Sequence, residues 1–130
     1  MLELNNLGLN EIDLKDIIET NPEVTELSDD EIKNQIEILK QINCNNDTIK
    51  NIIVTNPFYL TRLDDDILKL INKLTSLGIN NLNLLFNSNP HLLNKDAFEI
   101  DDFIKEQQTK YTFEEIVDMI DDNPYIIDEL

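Results

Sequence analysis

The dipeptide Asn-Pro occurs four times, as Asn21-Pro22, Asn56-Pro57, Asn89-Pro90 and Asn123-Pro124, and these pairs hold every proline in the chain. Successive prolines lie 35, 33 and 34 residues apart. Each pair is approached by one apolar pattern. Eight residues before the proline stand Leu14, Ile49, Leu82 and Ile116. Five and four residues before it stand Ile17-Ile18, Ile52-Ile53, Leu85-Phe86 and Met119-Ile120. Two residues after it stand Val24, Tyr59, Leu92 and Ile126. Self-similarity at such a period marks a stacked helical repeat, in which a unit buries its apolar face only against its neighbours.

The physics of the dipeptide makes it a corner. Proline lacks an amide and clashes with the preceding turn, so it stops a helix, and it pushes the residue before it out of the helical region. Proline is nevertheless favoured at the first position of a new helix, and Asn is among the best N-caps. Asn-Pro is therefore expected to close one helix and open the next within two residues, with the Asn side chain capping the second.

The rest of each unit follows the same plan. Ile12, Leu14, Ile17 and Ile18 form a helical stripe ahead of Pro22. After a short bridge, Ser28 and Glu31 have capping-box spacing, and the helix they open carries Ile32, Ile36 and Leu39 at 10, 14 and 17 residues past Pro22. Ile67, Ile71 and Leu74 repeat those offsets from Pro57. Ile100 and Ile104 repeat the first two from Pro90, but Gln107 takes the third. Gly78 stands just past a helix end, where a left-handed residue is needed, and Leu7-Gly8-Leu9 resembles Leu77-Gly78-Ile79, so the first repeat is expected to begin there. Thr112 and Glu115 open the last copy, which has no second helix and reads as a capping unit. The chain is thus expected to be all-α: an α-solenoid of about 3.5 tandem repeats of about 34 residues in one domain, 1–130, divided at 7–43, 44–78, 79–110 and 111–130.

Charge narrows the functional classes. Twenty-seven acidic residues against ten basic ones give a net charge of −17. Such a chain repels phosphate backbones, whose binding requires Lys and Arg contacts, and anionic membranes as well. No apolar run approaches the ~20 residues a membrane span requires. Met1–Leu14 lacks the basic region of a secretory or transit peptide, and the lone Cys44 excludes an internal disulfide; both point to a cytoplasmic location.

The chain offers little for chemistry. His91 follows Asn-Pro where the other copies have Glu23, Phe58 and Tyr125, which is the place of a variable, exposed turn residue. Cys44 stands where the next copy has Ile79 and reads as a small core residue. Neither has a nucleophile–base partner, and Gly8 and Gly78 are too few for a phosphate loop. No catalytic, cofactor-binding or metal-binding residue is expected. Asp29-Asp30-Glu31 and Asp64-Asp65-Asp66 stand at helix starts, where carboxylates favour the macrodipole. They are also the candidate partner-binding residues, whereas a calcium loop would need alternating ligands and a glycine. Leu74 to Asn94 contains no charged side chain, which fits either a central, buried helix or a neutral contact surface.

The repeat resembles that of the mitochondrial transcription termination factor (mTERF) family. The matching stretches are Ile52-Ile53-Val54-Thr55-Asn56-Pro57-Phe58-Tyr59-Leu60 and Leu74-Thr75-Ser76-Leu77-Gly78-Ile79. The resemblance implies a curved solenoid whose members mostly bind nucleic acid through a basic surface, or assemble with other proteins on it. The basic surface is missing: Lys33, Lys69 and Lys105 fall 11, 12 and 15 residues past their prolines and form no row. The expected function is therefore non-enzymatic protein binding through an acidic face to a basic partner, with a nucleic-acid mimic as its sharper version. Direct nucleic-acid binding, implied by the resemblance, is the alternative.

Overall fold

A computed structural model describes residues 1–129. Among the described residues it contains eight α-helices and four short 3-10 helices, with no strand. The α-helices are α1 (Leu2–Leu7), α2 (Glu11–Thr20), α3 (Asp29–Gln41), α4 (Asn46–Thr55), α5 (Asp64–Ser76), α6 (Leu82–Ser88), α7 (Ala97–Gln107) and α8 (Phe113–Asp122). The 3-10 helices are η1 (Pro22–Glu26), η2 (Pro57–Thr61), η3 (Pro90–Asn94) and η4 (Pro124–Glu129). The protein is an all-helical repeat stack, and each Asn-Pro stands between an α-helix and a 3-10 helix. The expected end of the last repeat, Leu130, lies outside the described residues.

Two layers result. The helices that run into each proline pack on their counterparts, α2 on α4 and α4 on α6, while the other set packs as α1 on α3 and α5 on α7. The 3-10 segments lie between the layers, η1 against η2 and η2 against η3. The apolar positions read from the sequence form the core: Ile32, Ile36, Leu39, Ile67, Ile71, Leu74, Ile100 and Ile104 are all buried. Tyr59 and Phe86 are the largest fully buried side chains.

Three expectations need correcting. First, the Asn of Asn-Pro does not cap the helix it opens: η1, η2 and η3 have no side-chain cap. Each Asn instead reaches into the next repeat. Asn21 Nδ2 donates to the Pro57 carbonyl (3.2 Å) and Thr61 Oγ1 (3.0 Å). Asn56 Nδ2 donates to the Pro90 carbonyl (3.0 Å) and exchanges a second pair of bonds with Asn94 (3.0 and 2.9 Å). Asn89 Nδ2 donates to the Pro124 carbonyl at 2.8 Å. The following proline keeps the Asn backbone out of the helical region, with φ of −134° to −132° at the three positions. The amide reaches the neighbouring repeat, that of Asn89 while also donating to the Leu85 carbonyl of its own α6. Asn21, Asn56 and Asn89 are buried, whereas Asn123 is exposed.

Second, Ile12 is 72% exposed, and of the first stripe Ile17 alone is fully buried, with Leu14 and Ile18 half-buried. Helix α2 packs on α4. The counterparts of Ile12, ten residues before each proline, are Asp47, Asn80 and Glu114, all polar, so an outward position is what the repeat itself requires.

Third, the repeat pattern extends ahead of Leu7, where the sequence assigns no element: Leu2–Leu7 form a helix. Helix α1 packs on α3 much as α5 packs on α7, and Gly8 ends it in a left-handed conformation (φ 101°) as Gly78 follows α5 (φ 85°). Asn43 holds the corresponding place after α3 at φ 67°, Asn being one of the few residues that visit this region readily.

Burial fixes two groups at high pH. It raises the Cys44 thiol from its ordinary 9.0 to about 11 and pushes the Tyr59 hydroxyl above its usual range. Both are therefore deprotonated more readily in the unfolded chain. Their contribution to stability is complete below about pH 9 and is lost as the pH rises through the folded values. Urea midpoints are expected to be level from pH 7 to 8.5 and to fall from pH 9.5 upward. A midpoint that stays constant to pH 11 would contradict the burial of both groups.

Candidate partner-binding edge

The two acidic clusters sit in the first turns of α3 and α5. Ser28 opens α3 with a complete capping box: its hydroxyl accepts from the Glu31 amide, and Glu31 accepts from the Ser28 amide, both at 3.2 Å. The capping position before α5 is Leu63, which supplies no side-chain cap, so Asp64, Asp65 and Asp66 are the negative charges in the turn of its free amides.

Helices α3 and α5 hold equivalent places in successive repeats and face each other across a groove. Asn34 Nδ2 donates to Asp64 at 2.8 Å across the gap. Between them lies a groove of about 630 Å³, lined by Asp30, Glu31, Asn34, Gln35, Asp64 and Asp65 with Leu27, Leu60 and Leu63. Four of the six candidate carboxylates thus share one groove. Asp29 does not face it: the Met1 ammonium lies 2.9 Å away and holds this carboxyl below the usual carboxylate range. Asp66 lines a second, smaller groove with Lys69, Asp96, Ala97 and Phe98.

The two grooves differ in charge compensation. At the α5–α7 junction, Arg62 pairs with Asp96 (3.2 Å) and Lys73 with Asp101 (2.9 Å), and Lys69 adds a third cation. At the α3–α5 junction, none of the ion pairs among the described residues involves Asp30, Glu31, Asp64 or Asp65. Arg62 lines the α3–α5 groove too, yet its guanidinium turns toward repeat three, where it also donates to the Lys95 carbonyl at 2.8 Å. The sequence shows equal acidic runs; of these two junctions, the one between α3 and α5 carries its carboxylates without an ion-pairing cation.

The wall of that groove is rigid. Gln35 is 4% exposed, and its Nε2 donates to the carbonyls of Tyr59 (3.3 Å) and Arg62 (2.9 Å), while the Tyr59 hydroxyl donates back to the Gln35 carbonyl at 2.6 Å. These bonds lock α3 to η2. They leave Gln35 Oε1 buried and without a partner, and an unmet acceptor of this kind costs about 1–3 kcal/mol. Gln35 was not singled out in the sequence: three residues past Ile32 and four before Leu39 it has core spacing, but its polar side chain reads as a surface residue.

Elsewhere, His91 is exposed at the start of η3 and Cys44 is buried. Residues 74–94 divide: Leu82, Leu85 and Phe86 are buried against α4 and η4, while Leu84 is 42% exposed. Near the end of α8, burial and the neighbouring charges of Asp118 and Asp122 raise the Asp121 carboxyl above its ordinary value. Among the described residues no group of three or more His, Cys, Asp or Glu could hold a metal ion, and no helix is long and apolar enough to cross a membrane.

A two-layer stack of helix–corner–helix units, joined repeat to repeat by Asn amides and bearing charge along one edge, is an α-solenoid repeat protein. The mTERF family model matches residues 2–128, and the chain belongs to the mTERF family. The searches of curated proteins and of solved structures gave no match.

Proposed function

We propose that the protein acts without catalysis, by binding a partner protein of basic surface along the edge formed by the first turns of α3 and α5. The observation that carries this reading is the uncompensated carboxylate groove at that junction, next to a junction where comparable charges are neutralised. Acidic faces steer basic partners by long-range attraction and suppress like-charged ones. In its sharper form the edge substitutes carboxylates for the phosphates of a nucleic acid and so occupies a nucleic-acid-binding protein.

The test is capture of partners from a native extract at low and high salt. Basic proteins are expected to be retained at ~50 mM salt and released at ~500 mM, because screening shortens the reach of surface charge to a few ångströms. Captured proteins that are not basic, or that resist salt, would remove the motive for the proposal.

Membership of the mTERF family favours a second reading, a nucleic-acid-associated regulator. Direct binding would show as retarded DNA or RNA in a mobility-shift assay at ~50 mM salt, where phosphate contacts are strongest. With a net charge of −17, no shift is expected.

A further inference from the structure

We infer that the groove between α3 and α5 receives a single arginine side chain presented by a basic protein segment. The inference rests on the reading of this edge as a protein-binding surface and says where on it recognition is specific. The floor is apolar: Leu27, Leu60 and Leu63 line it, and Leu63 is 70% exposed, a surface suited to the aliphatic stem of a long cationic side chain. On opposite walls stand Asp30 and Asp65, neither of which takes part in an ion pair or side-chain hydrogen bond among the described residues. Glu31 and Asp64 are held in place by Ser28 and Asn34 and add negative charge.

Gln35 supplies the second, independent feature. It lines the groove at 4% exposure, with its amide oxygen lacking any donor. A guanidinium carries five N–H donors in a planar fork and can meet carboxylates on two sides and a neutral oxygen at once. An ammonium is a compact charge with three donors and serves such a spread of acceptors less well. The one cation already in the wall, Arg62, points its guanidinium to Asp96 and does not fill the groove.

The test is a titration of the isotope-labelled full chain, followed by NMR at low salt, with three short peptides. They differ at one position, which holds arginine, lysine or citrulline, the last being neutral. The arginine peptide is expected to move the side-chain amide signals of Asn34 and Gln35 and the Arg62 Nε signal. Lysine should bind roughly tenfold more weakly, the loss of about one charge-assisted hydrogen bond, and citrulline should leave the spectrum unchanged. The pair D30N/D65N should abolish the response while keeping a dispersed, folded spectrum, and D118N/D122N should retain it. Equal binding of lysine, a response in D30N/D65N, or shifts spread over all the acidic helix starts would overturn the inference. If no peptide binds while basic proteins are still captured in a salt-sensitive way, the groove is refuted and the acidic edge stands. If capture fails as well, both fall.

Discussion

Replacing Asn56 by Leu is expected to lower stability by about 3 kcal/mol, and the thermal midpoint by about 10 °C, although the side chains are similar in size. Asn56 is fully buried, and its amide joins repeat two to the Pro90 carbonyl and Asn94 of repeat three. Leu removes the donor from both of those groups, which are part-buried, so each loss lies toward the lower end of the about 1–3 kcal/mol that an unmet buried polar group costs. The matched control is Asn123→Leu. Asn123 likewise precedes a proline, Pro124, and ends α8 in the same way, yet it is exposed, so its loss should stay within about 0.5 kcal/mol. Circular dichroism melts of the two variants settle the matter. Equal losses would mean that Asn matters for the corner alone and that the bonds between repeats contribute nothing.

Tyr59 gives the second large effect, in two parts that can be separated. Tyr59→Ala is expected to cost about 4 kcal/mol, as the removal of a large aromatic from a core does. Tyr59→Phe keeps the ring and removes only the hydroxyl bonded to the Gln35 carbonyl, for a loss of about 1 kcal/mol. Urea titrations at pH 7 measure both. A Phe variant as stable as the parent would show that the hydroxyl bond adds nothing to the packing and the Gln35 amide bonds that hold α3 to η2. A Phe variant as unstable as Ala would show that the hydrogen bond dominates.

The fold was legible because proline and apolar spacing act locally and repeat. Ile32, Ile36 and Leu39 share offsets with Ile67, Ile71 and Leu74, and residues so placed on a helix must share a face. The capping boxes at Ser28 and Thr112 were legible for the same reason, since a cap and its amide are three residues apart. The role of the Asn side chains was not. A residue with its own helix start beside it has a local use on paper, and the bonds from Asn21 to Pro57 or Asn56 to Pro90 span 36 and 34 residues. Helix α1 was missed because six residues give too little periodicity to read. The acidic runs were found, but their inequality was not: it depends on Arg62 and Lys73 crossing to Asp96 and Asp101, contacts that only the stacking of α5 on α7 creates.

The bonds from Asn amides to proline carbonyls all run one way. Asn21, Asn56 and Asn89 give, and the prolines of the following unit receive. Any unit bounded by two Asn-Pro pairs therefore carries a plug at one end and a socket at the other, both of one pattern. Excising residues 56–88 would bring Asn21 opposite Pro90, with Asn94 in the place of Thr61 as the second acceptor. A chain built this way can gain or lose length in whole units during evolution without redesigning a junction, while its edge residues diverge freely. Length and surface are thereby separable traits in this protein, one governed by the corner and the other by the helix starts.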